Sequence, residues 1–236
     1  MKKTIISCVL FLTAVTAFSQ TPMKTAAEAK LSASDLAVKI ADRILATTTY
    51  EFKNTKTGKT YKSVKNLPLD MNVKVACKYN NWHYTNGVTH IALMELADKT
   101  GAKKYDDYVL KNMNFVFNEG NLDFFKKQYD QAMKNEGWYG VRKLSWHMIF
   151  RGKRLDDNGP MGASLIDLQM KHPNNSFLNY INETAEHLNY GEPRLADGTI
   201  ARIWPHENTI WADDAFMAIS FLARMAKMTG DMSYIN

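Results

Sequence analysis

Two acidic doublets, Asp156-Asp157 and Asp213-Asp214, are the residues of this chain best suited to do chemistry. Carboxyl groups crowded together raise one another's proton affinity, so one stays ionised while another can donate a proton. That is general acid/base equipment. A single Asp at a helix start has a plainer use, because one carboxylate satisfies the free amides and suits the positive end of the helix dipole. Doubling the acid at both places goes beyond capping. Arg202, Trp204, His206 and Trp211 lie close before the second doublet and add a cation, an imidazole and two indoles. The other constellations are weak. The six His show no i, i+3 or i, i+4 pairing, so no zinc or other metal pattern appears. There is no Gly-rich phosphate loop and no serine nucleophile elbow, and nothing calls for a cofactor.

The elements that must position the doublets are legible as a repeat. Asn86-Gly87 opens an apolar segment through Val88, Ile91, Leu93, Met94 and Leu96 to Gly101, followed by Tyr105. Asn158-Gly159 opens a second through Met161, Leu165, Ile166 and Leu168 to Pro173, followed by Phe177. A third runs through Phe216 and Met217 to Gly230 and Tyr234 in the same register. In that register Asp156-Asp157 aligns with Asp213-Asp214, Tyr84-Thr85 stands in their place in the first repeat, and Trp82 matches Trp211. Each first segment is apolar nearly all round, the pattern of a helix with no solvent face. Each following one is amphipathic, with Tyr105, Tyr108, Val109, Met113 and Val116, or Phe177, Tyr180, Ile181, Ala185 and Leu188, at helical spacing.

The pattern predicts an all-α protein of inner and outer helices with no comparable run of period-two strands. An α/α toroid and an open solenoid both fit. Short inner-to-outer links around Gly101 and Pro173, against long connections from Gly120 to Leu155 and Gly191 to Ile210, favour a toroid with one elaborated rim. The long segments carry Trp138, Tyr139, Trp146 and Trp204, which serve either as platforms for sugar rings or as caps of the barrel. The Met-rich inner helices read as core filler.

Composition bounds the class. The 236 residues are 45% hydrophobic and 23% charged, enough apolar content for a core. Lys2 and Lys3 precede an apolar run from Thr4 to Phe18 that closes on Ala17-Phe18-Ser19, so residues 1–19 read as a secretory signal peptide and residues 20–236 as the mature chain, periplasmic or secreted. Removing the leader lowers the net charge from +6 to +4, which is no nucleic-acid footprint. It also removes Cys8 and leaves Cys77 alone, so packing and not a disulfide must hold the core. No later segment is long and apolar enough for a membrane helix, which leaves no membrane partner after cleavage. Lys53, Lys56, Lys59, Lys62 and Lys65 lie in a polar stretch with turn chemistry at Thr57-Gly58, read as a solvated loop, with steering of an acidic substrate as the functional alternative.

The stretches from Arg154 to Ala163 (RLDDNGPMGA) and from Trp204 to Met217 (WPHENTIWADDAFM) resemble the signatures of the unsaturated rhamnogalacturonyl hydrolases, glycoside hydrolase family 105, related to the unsaturated glucuronyl hydrolases of family 88. The resemblance spans roughly residues 82–236. It implies an (α/α)6 toroid of the six-hairpin type that acts on acidic oligosaccharides released by polysaccharide lyases and removes a 4,5-unsaturated uronic acid from their non-reducing end. The family's Trp-x-Asp acid matches Asp213. Its partner carboxylate matches Asp156 or Asp157: the internal register pairs Asp156 with Asp213, whereas anchoring on Gly159 favours Asp157. Pro205-His206 matches the family's Pro-His, with four residues instead of two before Trp211. The implied reaction protonates C4 of a vinyl ether and adds water at C5, after which the hemiketal opens and the glycosidic bond is lost without displacement at C1. Asp213 makes both proton transfers and its partner holds sugar hydroxyls. The resemblance further implies that Trp211 and His206 frame the ring, with Trp204 and Asp214 also binding substrate, and that Arg202 takes the substrate carboxylate.

Two other readings stay open: an endo-mannanase-like toroid hydrolase with paired aspartates, and a non-catalytic helical-repeat carbohydrate-binding protein. The register supplies about half the helices such a ring needs, so the chain reads as the N-terminal part of a longer catalytic domain. Alone it is expected to expose apolar faces and fold poorly.

Overall fold

A computed structural model describes residues 32–152, 154–203 and 205–235. The expected leader at residues 1–19, with Cys8, lies outside them. The chain divides into two compact units, Met1–Ile40 and Ala41–Asn236. In the first, the described residues open helix α1 (Ala33–Thr47) through a reciprocal cap, in which Asp35 N–H donates to Ser32 Oγ at 3.1 Å and Ser32 N–H donates to the Asp35 carboxylate at 3.2 Å.

The second unit begins with three short strands, β1 (Phe52–Asn54), β2 (Thr60–Tyr61) and β3 (Val73–Val75), in the antiparallel order β2-β1-β3. This sheet overturns the expectation that residues 54–66 form only a loop. Its strands of two or three residues are too short for alternation to show in the sequence, yet Phe52, Asn54, Val73 and Val75 are all buried. Gly58 turns the β1–β2 hairpin at φ 76°, and the Asn54 side chain receives the amides of Lys56 and Thr57. The five lysines of this stretch are exposed, as a solvated segment requires.

Inner and outer helices then alternate as the repeat predicts, but the expected lack of a solvent face holds for only one inner helix: Val88 in the first and Phe216 and Ile219 in the third are exposed. Helix α2 (Tyr84–Thr100) precedes α3 (Lys104–Val116), and α5 (Leu155–Lys171) precedes α6 (Asn175–Glu186). The third inner helix is α7 (Ala212–Thr229). Gly101 and Gly230, equivalent in the register, both end their helices in the left-handed conformation, at φ 70° and 76°. Helix α5 lies between α2 and α7 and is buried along nearly its whole length, including Asn158 and Ser164. Between the first outer and second inner helix the sequence suggests a long loop, but the structure has helix α4 (Glu119–Val141), kinked at Gly137, followed by a 3-10 turn at His147–Phe150. Phe124, Phe125, Gln128 and Ala132 form its buried stripe, and the Gln128 amide donates to the carbonyls of Asp70 and Val73 to tie it to β3.

Two glycines set the spacing of the inner helices. A Cβ on Gly87 would run into the backbone of Pro160, and one on Gly159 would come within 3.0 Å of Met217 Cβ and backbone. Gly87 and Gly159 are equivalent, as are Pro160 and Met217, so one contact is used twice. Trp82, fully buried, donates Nε1–H to the Asp157 carbonyl at 2.7 Å and joins the starts of α2 and α5. Its ring packs edge-on against Tyr180 with centroids 4.9 Å apart.

Gly159→Ala should therefore destabilise the protein by about 1–3 kcal/mol through overpacking. Gly101→Ala, with open space around it, should cost about 1 kcal/mol from backbone conformation alone. Denaturant unfolding of both variants checks the order, and equal or reversed losses would contradict the close approach.

Candidate active site

Both doublets occupy the first turns of inner helices. Arg154 and Trp211, equivalent in the register, are the N-cap residues of α5 and α7, both extended (φ −142° and −107°), and neither side chain caps its helix. Within each doublet the two acids part company. Asp157 is fully buried and ion-paired to Arg151, and Asp214, 4% exposed, is ion-paired to Arg202. Asp156 is half-buried and Asp213 is exposed at the same edge. The second acid of each doublet holds an arginine inside, while the first faces the rim.

The two inner pairs anchor different segments. Arg151 follows the 3-10 turn after α4 and lies over the Trp138 ring at 5.0 Å from its centroid, with Trp138 in turn 5.8 Å from the His147 ring. Burial pushes the Asp157 carboxyl up to about 6, against the pull of Arg151. Arg202 grips both oxygens of Asp214, with Nη2 to Oδ1 at 2.7 Å, and its guanidinium lies 4.0 Å from the Trp211 ring centroid. Arg202 is held above its ordinary value first by its hydrogen bonds to Asp214, then by the charges of Asp214, Asp156 and Asp213.

Beside it lies a cavity of about 370 Å³ whose polar lining includes Arg154, Asp156, His187, Glu192, Arg202 and Asp214. The structure thus brings Asp156, Asp214 and Arg202 together there. Asp213 and Trp211 stand at its edge, outside the lining, with Trp211 reaching it through Arg202. His206 is exposed within a turn closed by the Arg202 amide on the Thr209 carbonyl at 2.8 Å and is not among the residues lining the cavity. Trp204 lies outside the described residues. Of the other aromatics, Trp146 is a core residue at 1% exposed and offers no platform, and Trp138 supports Arg151.

Sequence reading missed Arg154, His187 and Glu192 as cavity residues, and His83 as a neighbour of Asp156. The available signal for Arg154 was its place in the repeat, where the equivalent positions are Trp82 and Trp211. His83 caps α2, and burial lowers its proton affinity while the Asp156 charge opposes that shift.

The raised Asp157 carboxyl makes a stability prediction. The folded protein binds its proton more tightly than the unfolded chain, so the contribution is full below about pH 4 and is lost as pH rises through about 6. Relative to Asp157→Asn, the wild type should lose up to about 3 kcal/mol of unfolding free energy between pH 4 and pH 7. Parallel stability curves over that range would contradict it.

With this geometry in hand, the comparison with known families is specific: the model of Glycosyl Hydrolase Family 88 matches residues 55–236. No curated protein matches the chain significantly. The match covers strands β2 and β3, helices α2 to α7 and both doublets, and the mostly helical architecture agrees with the α/α toroid of these glycosidases. The chain belongs to glycosyl hydrolase family 88 and is a glycoside hydrolase of the unsaturated uronyl type.

Proposed function

We propose that this enzyme removes a 4,5-unsaturated uronic acid from the non-reducing end of lyase-generated, rhamnogalacturonan-type oligosaccharides by hydrating the C4=C5 bond. The observation that carries the reading is that the second acid of each doublet is tied to an arginine, Asp157 to Arg151 and Asp214 to Arg202, which leaves the first acid of each as the less buried one at the helix start. Asp213 donates a proton to C4 and generates an oxocarbenium-like centre at C5. Water adds at C5 and gives its proton to the Asp213 carboxylate, which restores the acid. The hemiketal then opens to a ketone at C5, C1 becomes an aldehyde, and the leaving sugar departs with its oxygen. Asp156, not the buried Asp157, is the partner carboxylate and holds ring hydroxyls.

Arg202 is committed to Asp214 and Trp211, so its role is to hold that buried acid and that ring in place. Arg154 is the better-placed cation for the substrate carboxylate. It is exposed, lines the cavity beside Asp156, and sits at the positive end of α5. The leader-like N-terminus supports action in the periplasm or outside the cell.

The test follows the absorbance of the enol ether as lyase-digested rhamnogalacturonan is added. Wild type should consume the band, and Asp213→Asn should abolish its loss while substrate binding stays measurable. Arg154→Met should raise KM roughly 10- to 100-fold, the loss expected for a charge-assisted contact. A band that persists with every lyase product would overturn the reaction assigned here.

A further inference from the structure

The hydration chemistry leaves one buried acid of the cavity unused. Glu192 lines the wall shared with Asp214, and its side chain is 9% exposed. One carboxylate oxygen, Oε1, stands 3.0 Å from His187 Nε2, and the other has no described partner in the protein. Burial raises its proton affinity first, His187 opposes that, and the nearby Asp214 charge adds to it. Holding a carboxylate in such a place is costly, so the local backbone must enforce it.

The backbone does so at several points. His187–Gly191 forms a π turn, an element that often marks functional sites. It is closed by the Glu192 amide donating to the His187 carbonyl at 3.1 Å. The Nδ1 side of the His187 ring packs against Gly191, where a Cβ would collide with Nδ1, and Nε2 stands at Glu192. Arg194 donates to the carbonyls of Leu188 at 3.0 Å and Gly198 at 2.8 Å and clamps both sides of the turn. The next residues pair back through Ala201 N–H to Pro193 O at 2.8 Å, directly before Arg202. Glu192 therefore keeps a fixed position relative to Arg202 and Asp214, facing a space the size of a sugar ring.

We infer that Glu192, oriented by His187, is a specificity-determining residue that accepts a hydrogen bond from one ring hydroxyl, at C2 or C3, of the pyranose seated in this cavity. A carboxylate is acceptor-only, so it selects a hydroxyl donor and repels an ester, ether or sulfate at the same carbon. His187 occupies one oxygen and leaves the second for the sugar. This rests on the proposed function for the identity of the sugar, but binding can be measured without turnover.

The experiment is a cycle of protein and ligand changes. Titration calorimetry with the Asp213→Asn protein compares an unsaturated disaccharide with its analogue deoxygenated at one uronate hydroxyl, for C2 and C3 in turn. The same ligands are then titrated into Asp213→Asn carrying Glu192→Gln, and into Asp213→Asn carrying His187→Ala. For one of the two hydroxyls, deoxygenation should weaken binding about 10- to 100-fold in the parent and have little further effect with Glu192→Gln. His187→Ala should give a smaller loss of the same kind. Equal penalties for deoxygenation with and without Glu192 at both positions would overturn the inference. So would unchanged affinity on Glu192→Gln. A parent protein that binds the disaccharide while the wild type fails to consume its double bond contradicts the assigned reaction alone.

Discussion

The ion pair between Arg202 and Asp214 is the interaction on which the rest of the site depends. Asp214 is part of an inner helix, whereas Arg202 belongs to the irregular segment between α6 and α7. Their fork joins that segment to the helix start and lays the guanidinium on Trp211. Buried ion pairs add little net stability, because desolvation cancels most of the attraction. They are strong in geometry, since removing one partner leaves the other charge uncompensated. Here the geometry matters: the pair fixes where the Asp214 carboxylate, the Arg202 guanidinium and the Trp211 ring stand relative to one another. Asp157 and Arg151 repeat the device one helix earlier and anchor the segment that follows α4.

Such pairs can only hold these positions if the helices that carry them stand at a fixed spacing. Gly87 against Pro160 and Gly159 against Met217 supply it by admitting backbone where a side chain would block it. The Trp82 hydrogen bond to the Asp157 carbonyl sets the height of α5 relative to α2 at the same end. The segment from His187 to Ala201 then completes the lining of the cavity. Rigid helices thus place the acids, while clamped irregular backbone supplies the groups that recognise the substrate.

What could be read in the sequence was what repeats. Gly87 with Gly159, Gly101 with Gly230, and the two aspartate doublets are tied to a structural position used more than once, and their spacing shows it. Helix α4 was obscured because Gly120, Gly137 and Gly140 look like breakers, although Phe124, Phe125, Gln128 and Ala132 carry its buried stripe. The small sheet stayed hidden because three-residue strands have no periodicity to detect. His187 and Glu192 were invisible for another reason: their pairing depends on a π turn, and nothing local in His-Leu-Asn-Tyr-Gly announces one. The doublets showed that acids matter but not which acid of each faces outward, a question of helix rotation that packing decides.

That division of labour within a doublet is the central claim, and the adjacent pair on α5 tests it most directly. Asp156 and Asp157 are neighbours in the chain and chemically identical, so turnover of an unsaturated disaccharide by Asp156→Asn and by Asp157→Asn isolates orientation alone. With both proteins assayed where they are folded, Asp156→Asn should lose roughly 100-fold or more in kcat/KM, while Asp157→Asn should stay within about tenfold of wild type. A larger loss for Asp157→Asn than for Asp156→Asn would contradict the account.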